Sequence, residues 1–180
     1  MGLYHTGTTP IPFPDVRHGR VNADFGQGFY LTPDADFTYR WARQNAVVNA
    51  YELDISGLLV HRFTRDSEWF DYIYHNRRAI DKITADVIIG PIANDTVFDN
   101  FGLISSGYLK VEDALSLLRI GPEYTQVAIK TQKAVKQLKW ITSLIVEGVA
   151  EHQAALKDEK ARYDALFSEE VNRIISSGKV

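Results

Sequence analysis

The chain has 180 residues, 45% of them hydrophobic and 24% charged, which suits one globular domain, leaves no room for a second full domain and argues against a disordered chain. Twenty basic and 23 acidic side chains leave a net charge of −3, so no global basic field exists to draw in nucleic acid. Cysteine is absent, which excludes disulfides, thiolate metal sites and a cysteine nucleophile.

Gly2 to His5 reads as a minimal first strand, followed at once by the loop signal Thr6-Gly7-Thr8-Thr9-Pro10. Residues 8–26 read as a long irregular connection, which in a compact domain is either functional or disordered. Gly28 to Thr32 is a short β-prone run. Pro33-Asp34 then opens a helix over 35–49, with Phe37, Trp41, Gln44 and Val48 on one face. Tyr51 to Asp54 and Leu58 to Phe63 read as a strand pair around a turn at Ile55-Ser56-Gly57.

Asp66-Ser67-Glu68-Trp69 starts another helix, whose end at Asn76-Arg77-Arg78 is basic and complements the helix dipole. Asp86 to Pro91 is a buried strand, and residues 92–107 are loop-rich. Val111 to Leu118 is a helix, Thr125 to Lys130 a strand, and Thr131 the cap of a following helix. The tail from Glu147 to Ser177 is one amphipathic helix. Leu156, Tyr163, Phe167, Val171 and Ile174 form its apolar stripe, and Lys157, Glu159, Lys160 and Glu169 its wet face. Short strands scattered among helices argue for an α+β fold.

Three segments carry chemistry-bearing residues. Asp24-Phe25-Gly26-Gln27-Gly28-Phe29-Tyr30-Leu31-Thr32 sets two glycines before an aromatic strand. Either it is a turn into a core strand, or its backbone approaches a ligand that Tyr30 stacks against. Leu3-Tyr4-His5-Thr6-Gly7 ends a strand with an imidazole and a glycine turn. Gly90-Pro91-Ile92-Ala93-Asn94-Asp95 follows a buried strand, where Asp95 reads either as a turn former or as a site residue. Arg20 and Asp24 either pair with each other or meet a phosphate. Lys130, Lys133, Lys136 and Lys139 make a modest basic strip.

Taken in order, these segments resemble the ADP-ribosyltransferase family, on its poly(ADP-ribose) polymerase and diphtheria-toxin side. There a first strand ends in Leu-x-His-Gly-(Ser/Thr), a later one reads Gly-x-Gly-(Ile/Phe)-Tyr-(Phe/Leu), and a helix follows. Tyr124-Thr125-Gln126-Val127-Ala128-Ile129-Lys130, with Ala134 and Leu138-Lys139-Trp140 after it, is similar to the family's last catalytic strand and the segment beyond. Closer still, residues 3–140 resemble an uncharacterised bacterial domain family that carries Leu-Tyr-His, Asp-Phe-Gly-x-Gly-Phe-Tyr-Leu-Thr and Gly-Pro-Ile-Ala-Asn-Asp. That family is grouped with the ADP-ribosyltransferases and found in toxin–antitoxin-like or phage-defence settings.

The resemblance implies a split β-sheet core of two small antiparallel sheets forming a cleft over residues 1–140, with a helical extension over 141–180. It implies mono-ADP-ribosyl transfer from NAD, as co-substrate and without a metal, to a macromolecular acceptor, either nucleic acid or protein. His5 is then expected to bind a ribose hydroxyl, and Thr6 and Gly7 to face the nicotinamide amide, although Thr6 is inserted between His and Gly here. Arg20 is expected to meet the pyrophosphate. Gly28 and Phe29 are expected to frame the cofactor, and Tyr30 and Trp41 to sandwich the nicotinamide ring. Gln126 stands where the family has Glu, which brings Asp95 and Glu123 forward as replacement acids. An inactive NAD- or protein-binding module and a NAD glycohydrolase are the alternatives. With no bilayer-spanning run and no secretory apolar segment in residues 1–20, a cytoplasmic bacterial toxin with an antitoxin partner is the expected setting.

Overall fold

The computed structural model describes residues 1–78, 81–93 and 111–176. The strands are β1 (Gly2–Gly7), β2 (Phe29–Leu31), β3 (Val47–Leu53), β4 (Val60–Arg62), β5 (Val87–Pro91), β6 (Thr125–Ile129) and β7 (Leu138–Ile145). The helices are α1 (Ala35–Arg40), α2 (Ser67–Asn76), α3 (Val111–Leu118), α4 (Gln132–Val135) and α5 (Val149–Ser176). The class is α+β, as composition and patterning predict. Expected residues 94–107 of the loop after β5, Asn94 and Asp95 among them, lie outside the described residues.

One sheet has three strands in the order β1-β3-β7, all antiparallel; the other has four in the order β2-β6-β5-β4. The second is not wholly antiparallel, because β4 runs parallel to β5. The expected pairing of the Tyr51 and Leu58 segments is therefore overturned. β3 spends both edges on β1 and β7, which leaves β4 to pair across the molecule. Among the described residues one backbone bridge joins the sheets, where Tyr4 and Thr32 exchange hydrogen bonds of 2.8 and 2.9 Å.

Their facing surfaces bury Leu3, Leu31, Tyr51, Leu53, Val87, Val127 and Ile129 in one core. The opposite face of the four-stranded sheet carries Ile88 and Ala128 and packs against Trp69, Tyr72 and Ile73 of α2. β5 and β6 are thus buried on both faces, which is why Val87-Ile88-Ile89 is a continuous apolar run and not an alternating one. Full burial of each such side chain contributes about 1.5–3 kcal/mol.

Helix starts follow their caps. Asp34, Asp66 and Thr131 accept from the backbone N–H three residues on, at 3.0, 3.0 and 3.2 Å. The helix expected over 35–49 stops at Arg40. The chain turns through Asn45, in the left-handed region at φ 62°, and Val47 and Val48 are taken into β3. Sheet pairing overrides the helical spacing of Gln44 and Val48 there. β7 was not anticipated and crosses the expected 140/141 division. Of the lysine strip, Lys133, Lys136 and Lys139 are exposed and Lys130 leaves it. Lys130 is buried and ion-paired to Asp81 at 2.9 Å, and Lys133 reaches the Gly57 carbonyl at 2.6 Å.

The long connection before β2 is tied down by buried polar groups. Asn49, fully buried, accepts from the Ile11 N–H at 2.8 Å and donates to the Thr9 carbonyl at 3.1 Å, and the Tyr51 hydroxyl donates to Ile11 at 2.6 Å. Further on, Gly19 packs directly on Gly28. A Cβ on Gly19 would lie 2.0 Å from the Gly28 carbonyl oxygen, and one on Gly28 would lie 2.8 Å from that of Ile129. Gly28 therefore serves a backbone-to-backbone approach. Replacing Gly19 by Ala is expected to cost about 1–3 kcal/mol in chemical denaturation, as overpacking does. Gly2→Ala, where nothing lies within 4 Å of the new Cβ, is the matched control and is expected to leave the midpoint unchanged.

Candidate functional site

A cavity of about 680 Å³ opens beside the junction of the two sheets. Such a volume lies within the range of small-molecule sites. Of the twelve residues singled out from the sequence, seven line it: His5, Thr6, Arg20, Asp24, Tyr30, Trp41 and Gln126; Glu123 does not. Gly7, Gly28 and Phe29 are not among the lining residues; Phe29 is buried in the inter-sheet core. Asp95 falls outside the described residues.

Period-two geometry places the central groups. Tyr124, Gln126 and Ala128 share one face of β6, and Tyr30 stands directly opposite Ala128 on β2. Tyr30 and Gln126 therefore project from the same face. The His5 ring is brought in by β1, where its Nδ1 donates to the Tyr30 backbone carbonyl at 2.7 Å and its ring packs 4.5 Å from that of Phe29. That bond leaves Nε2 as the acceptor of the neutral imidazole. The Tyr30 hydroxyl is also committed: it donates to the Gly26 carbonyl at 2.6 Å and accepts from the Phe25 N–H at 2.9 Å. Burial pushes its phenol well above the ordinary range.

Asp24 sits behind Gln126. Its Oδ1 accepts from Nε and Nη2 of Arg77 at 2.9 and 2.7 Å, and its Oδ2 from the Gln126 amide at 3.0 Å and the Ala93 N–H at 3.2 Å. Of the two readings of Arg20 and Asp24, the mutual pair does not form: the partner of Asp24 is Arg77. Arg77 stands at the basic C-terminal end of α2, as read from the sequence, and also lines the cavity. The fourfold spacing of Trp69, Ile73 and Arg77 placed Arg77 on the buried side of α2, and that was its available signal.

α5 forms a further wall of the cavity. Leu156, Glu159, Lys160 and Tyr163 all line it. Glu159 was expected on the wet face but is half-buried, with both oxygens 2.9 Å from the Tyr124 hydroxyl that donates to it. The Tyr124 ring stacks on Phe37 at 4.0 Å, and Trp41, 59% exposed, stands edge-on to Phe37 at 5.8 Å. Tyr163 seats over Gly121, whose φ of 90° and contact with that ring (2.4 Å to a Cβ placed there) leave no room for a side chain. Arg65 fixes the same turn by donating to the carbonyls of Arg119, Gly121 and Pro122. Spacing alone did not single out Tyr124, Arg65 or Glu159 for the site.

The cavity walls carry Arg20, Arg65, Arg77 and Lys160 against Asp24 and Glu159, a basic excess in an acidic chain. Such a balance suits an anionic ligand with planar groups. Among the described residues no helix is long and apolar enough to cross a membrane.

Burial holds the His5 imidazole below its ordinary value of 6.5, outweighing the hydrogen bond to Tyr30. The charged form is disfavoured in the fold, so His5 is expected to stay neutral as the pH falls through 6.5. The unfolded chain takes up its proton first, and that part of the stability is lost on acidification. Nitrogen chemical shifts of the ring, followed from pH 8 to pH 5, check this.

No curated protein matches the chain. A family model, described as a protein of unknown function (DUF3990), matches residues 1–140. The match takes in β1 to β6 and every cavity residue that the sequence singled out; α5 lies beyond it. By that match the chain belongs to the DUF3990 family.

Proposed function

We propose that the protein is a NAD-dependent mono-ADP-ribosyltransferase that modifies a macromolecular acceptor, on an ADP-ribosyltransferase-like core of two splayed sheets. The observation that carries this reading is convergence. An imidazole from β1, a tyrosine from β2 and a carboxamide from β6, up to 121 residues apart, line one cavity with a basic excess.

In such a reaction the bond between nicotinamide and ribose breaks and its electron pair leaves with the nicotinamide nitrogen. The ribose carbon becomes oxocarbenium-like, and an acceptor nucleophile adds to it and releases a proton. The chain's residues suit the separate demands. Neutral His5 offers Nε2 to a ribose hydroxyl. Tyr30, its hydroxyl already anchored, offers a fixed ring face, and Trp41 a second, exposed one. Arg20 and Lys160 suit phosphate oxygens. On this reading the protein works in the cytoplasm, where NAD is found, and an antitoxin is a natural partner for it.

One observation favours a second reading. Gln126 brings no charge of its own to a cationic transition state, and a lost charge there weakens electrostatic stabilisation. A chain that only binds NAD fits that residue equally well.

Nicotinamide release from NAD separates the cases. Release only with added protein, RNA or DNA is expected for transfer; release without an acceptor means hydrolysis; binding by calorimetry with no release means a binding module. His5→Ala and Tyr30→Ala are each expected to lower release by roughly a hundredfold, the size of effect seen when one transition-state contact is removed. Unchanged release in both variants rules out this site as the reaction centre.

A further inference from the structure

We infer that Asp24 is a positioning residue that sets the polarity of Gln126, holding its amide nitrogen inward so that its carbonyl oxygen is presented to the cavity as a hydrogen-bond acceptor. The inference deepens the NAD reading and rests on it for the identity of the ligand.

A carboxamide has a donor end and an acceptor end, and its surroundings decide which way it faces. The Gln126 nitrogen has two neighbours, Asp24 Oδ2 at 3.0 Å and the Pro91 carbonyl at 3.3 Å. Both are acceptors only. Neither tolerates the Gln126 oxygen in that place, so the orientation is set chemically. Asp24 cannot turn away to allow the reverse. Its other oxygen is gripped by the Arg77 guanidinium at 2.7 and 2.9 Å, and the Ala93 N–H fixes the first at 3.2 Å. Gln126 is itself 8% exposed, on a β6 strand held between β2 and β5. Its oxygen therefore faces the ligand with the same sense as one oxygen of a carboxylate. The charge-assisted bond from the amide to Asp24 polarises the carboxamide and makes that oxygen a better acceptor. The negative charge of the site sits one bond further back, on Asp24, balanced by Arg77.

The arrangement predicts an unusual response to Gln126→Glu. Ionised, the new carboxylate faces Asp24 and the Pro91 carbonyl with no donor to offer. Protonated, it regains the native pattern, with O–H toward Asp24 and C=O toward the cavity. Two carboxylates at this separation cannot both ionise freely, so the proton is held to higher pH than usual. Arg77, on Asp24, is the cation that opposes this, and the Tyr30 phenol on the same face stays neutral.

NAD affinity by calorimetry and melting temperature, both at pH 8 and pH 6, test the inference on wild type, Gln126→Glu and Asp24→Asn. At pH 8 Gln126→Glu is expected to bind NAD about tenfold more weakly or worse, as for a lost charge-assisted hydrogen bond. At pH 6 it is expected to recover most of that loss, and its melting temperature to approach the wild type's. Asp24→Asn is expected to bind weakly at both values. Native affinity of Gln126→Glu at pH 8, or a folded variant with no recovery at pH 6, overturns the inference. If Gln126→Glu is unfolded at pH 8, refolding at pH 6 supports the inference and failure to refold overturns it. Wild type that binds no NAD sinks the functional reading alone, because the pH dependence of the variant's melting temperature still reports the pair.

Discussion

The Asp24 carboxylate is the constraint on which the site depends. Four hydrogen bonds converge on it, from Arg77 at the end of α2, from Ala93 just after β5 and from Gln126 on β6, while its own backbone carbonyl accepts from Asn76 at 3.0 Å. One side chain thus ties the long connection before β2 to three other elements. The carboxylate is nearly buried, with 11% of its side chain exposed. Burying a charge is costly unless it is fully paired, and breaking such a pair from one side costs about 3–5 kcal/mol. The geometry around Gln126 is therefore stiff where a surface ion pair would be loose.

The cavity opens on the face of the four-stranded sheet that carries Tyr30, Gln126 and Ala128, opposite the inter-sheet core and beside the Tyr4–Thr32 bridge. The facing sides of the two sheets fill with Leu, Ile and Val, and the polar residues of β6 and β2 point to the other side of the four-stranded sheet. The loop before β2 would fray in isolation. Asn49 and Tyr51 hold its first half, and the contact of Gly19 with Gly28 holds its second. This brings Arg20, Ala23 and Asp24 to the cavity wall from a segment with little regular structure.

α5 gives the site a wall that the family match does not include. It is moored at both ends. His152 stacks on Tyr39 of α1 at 5.3 Å and Gln153 donates to the Ala42 carbonyl at 3.1 Å, while Glu170 accepts from Ser116 of α3 at 3.0 Å. Between these, Tyr163 is buried against the core of α2 and its phenol is pushed up to about 12 by that burial. The helix belongs to the packed body of the protein, and its inner face shapes what the cavity can admit.

Much of the local structure was legible in the residues themselves. The caps at Asp34, Asp66 and Thr131, the apolar run of β5, the α3 span and the long final helix all follow from propensity and periodicity, which act within a few residues. The candidates His5, Tyr30, Trp41 and Gln126 rest chiefly on the likeness of their segments to the ADP-ribosyltransferase family, and Gln126 on that alone. Pairing was not legible. Whether residues 47–48 continue a helix or join a strand, whether β4 meets β3 or β5, and that 138–145 is a strand at all depend on partners far along the chain. The same holds for the electrostatics. Asp24 has an arginine four positions before it, yet binds one 53 positions after it, because folding sets Arg77 there and the nearer side chain elsewhere. Short-range stereochemistry is written along the chain, whereas the partner of a buried charge is chosen by the three-dimensional packing that excludes water around it.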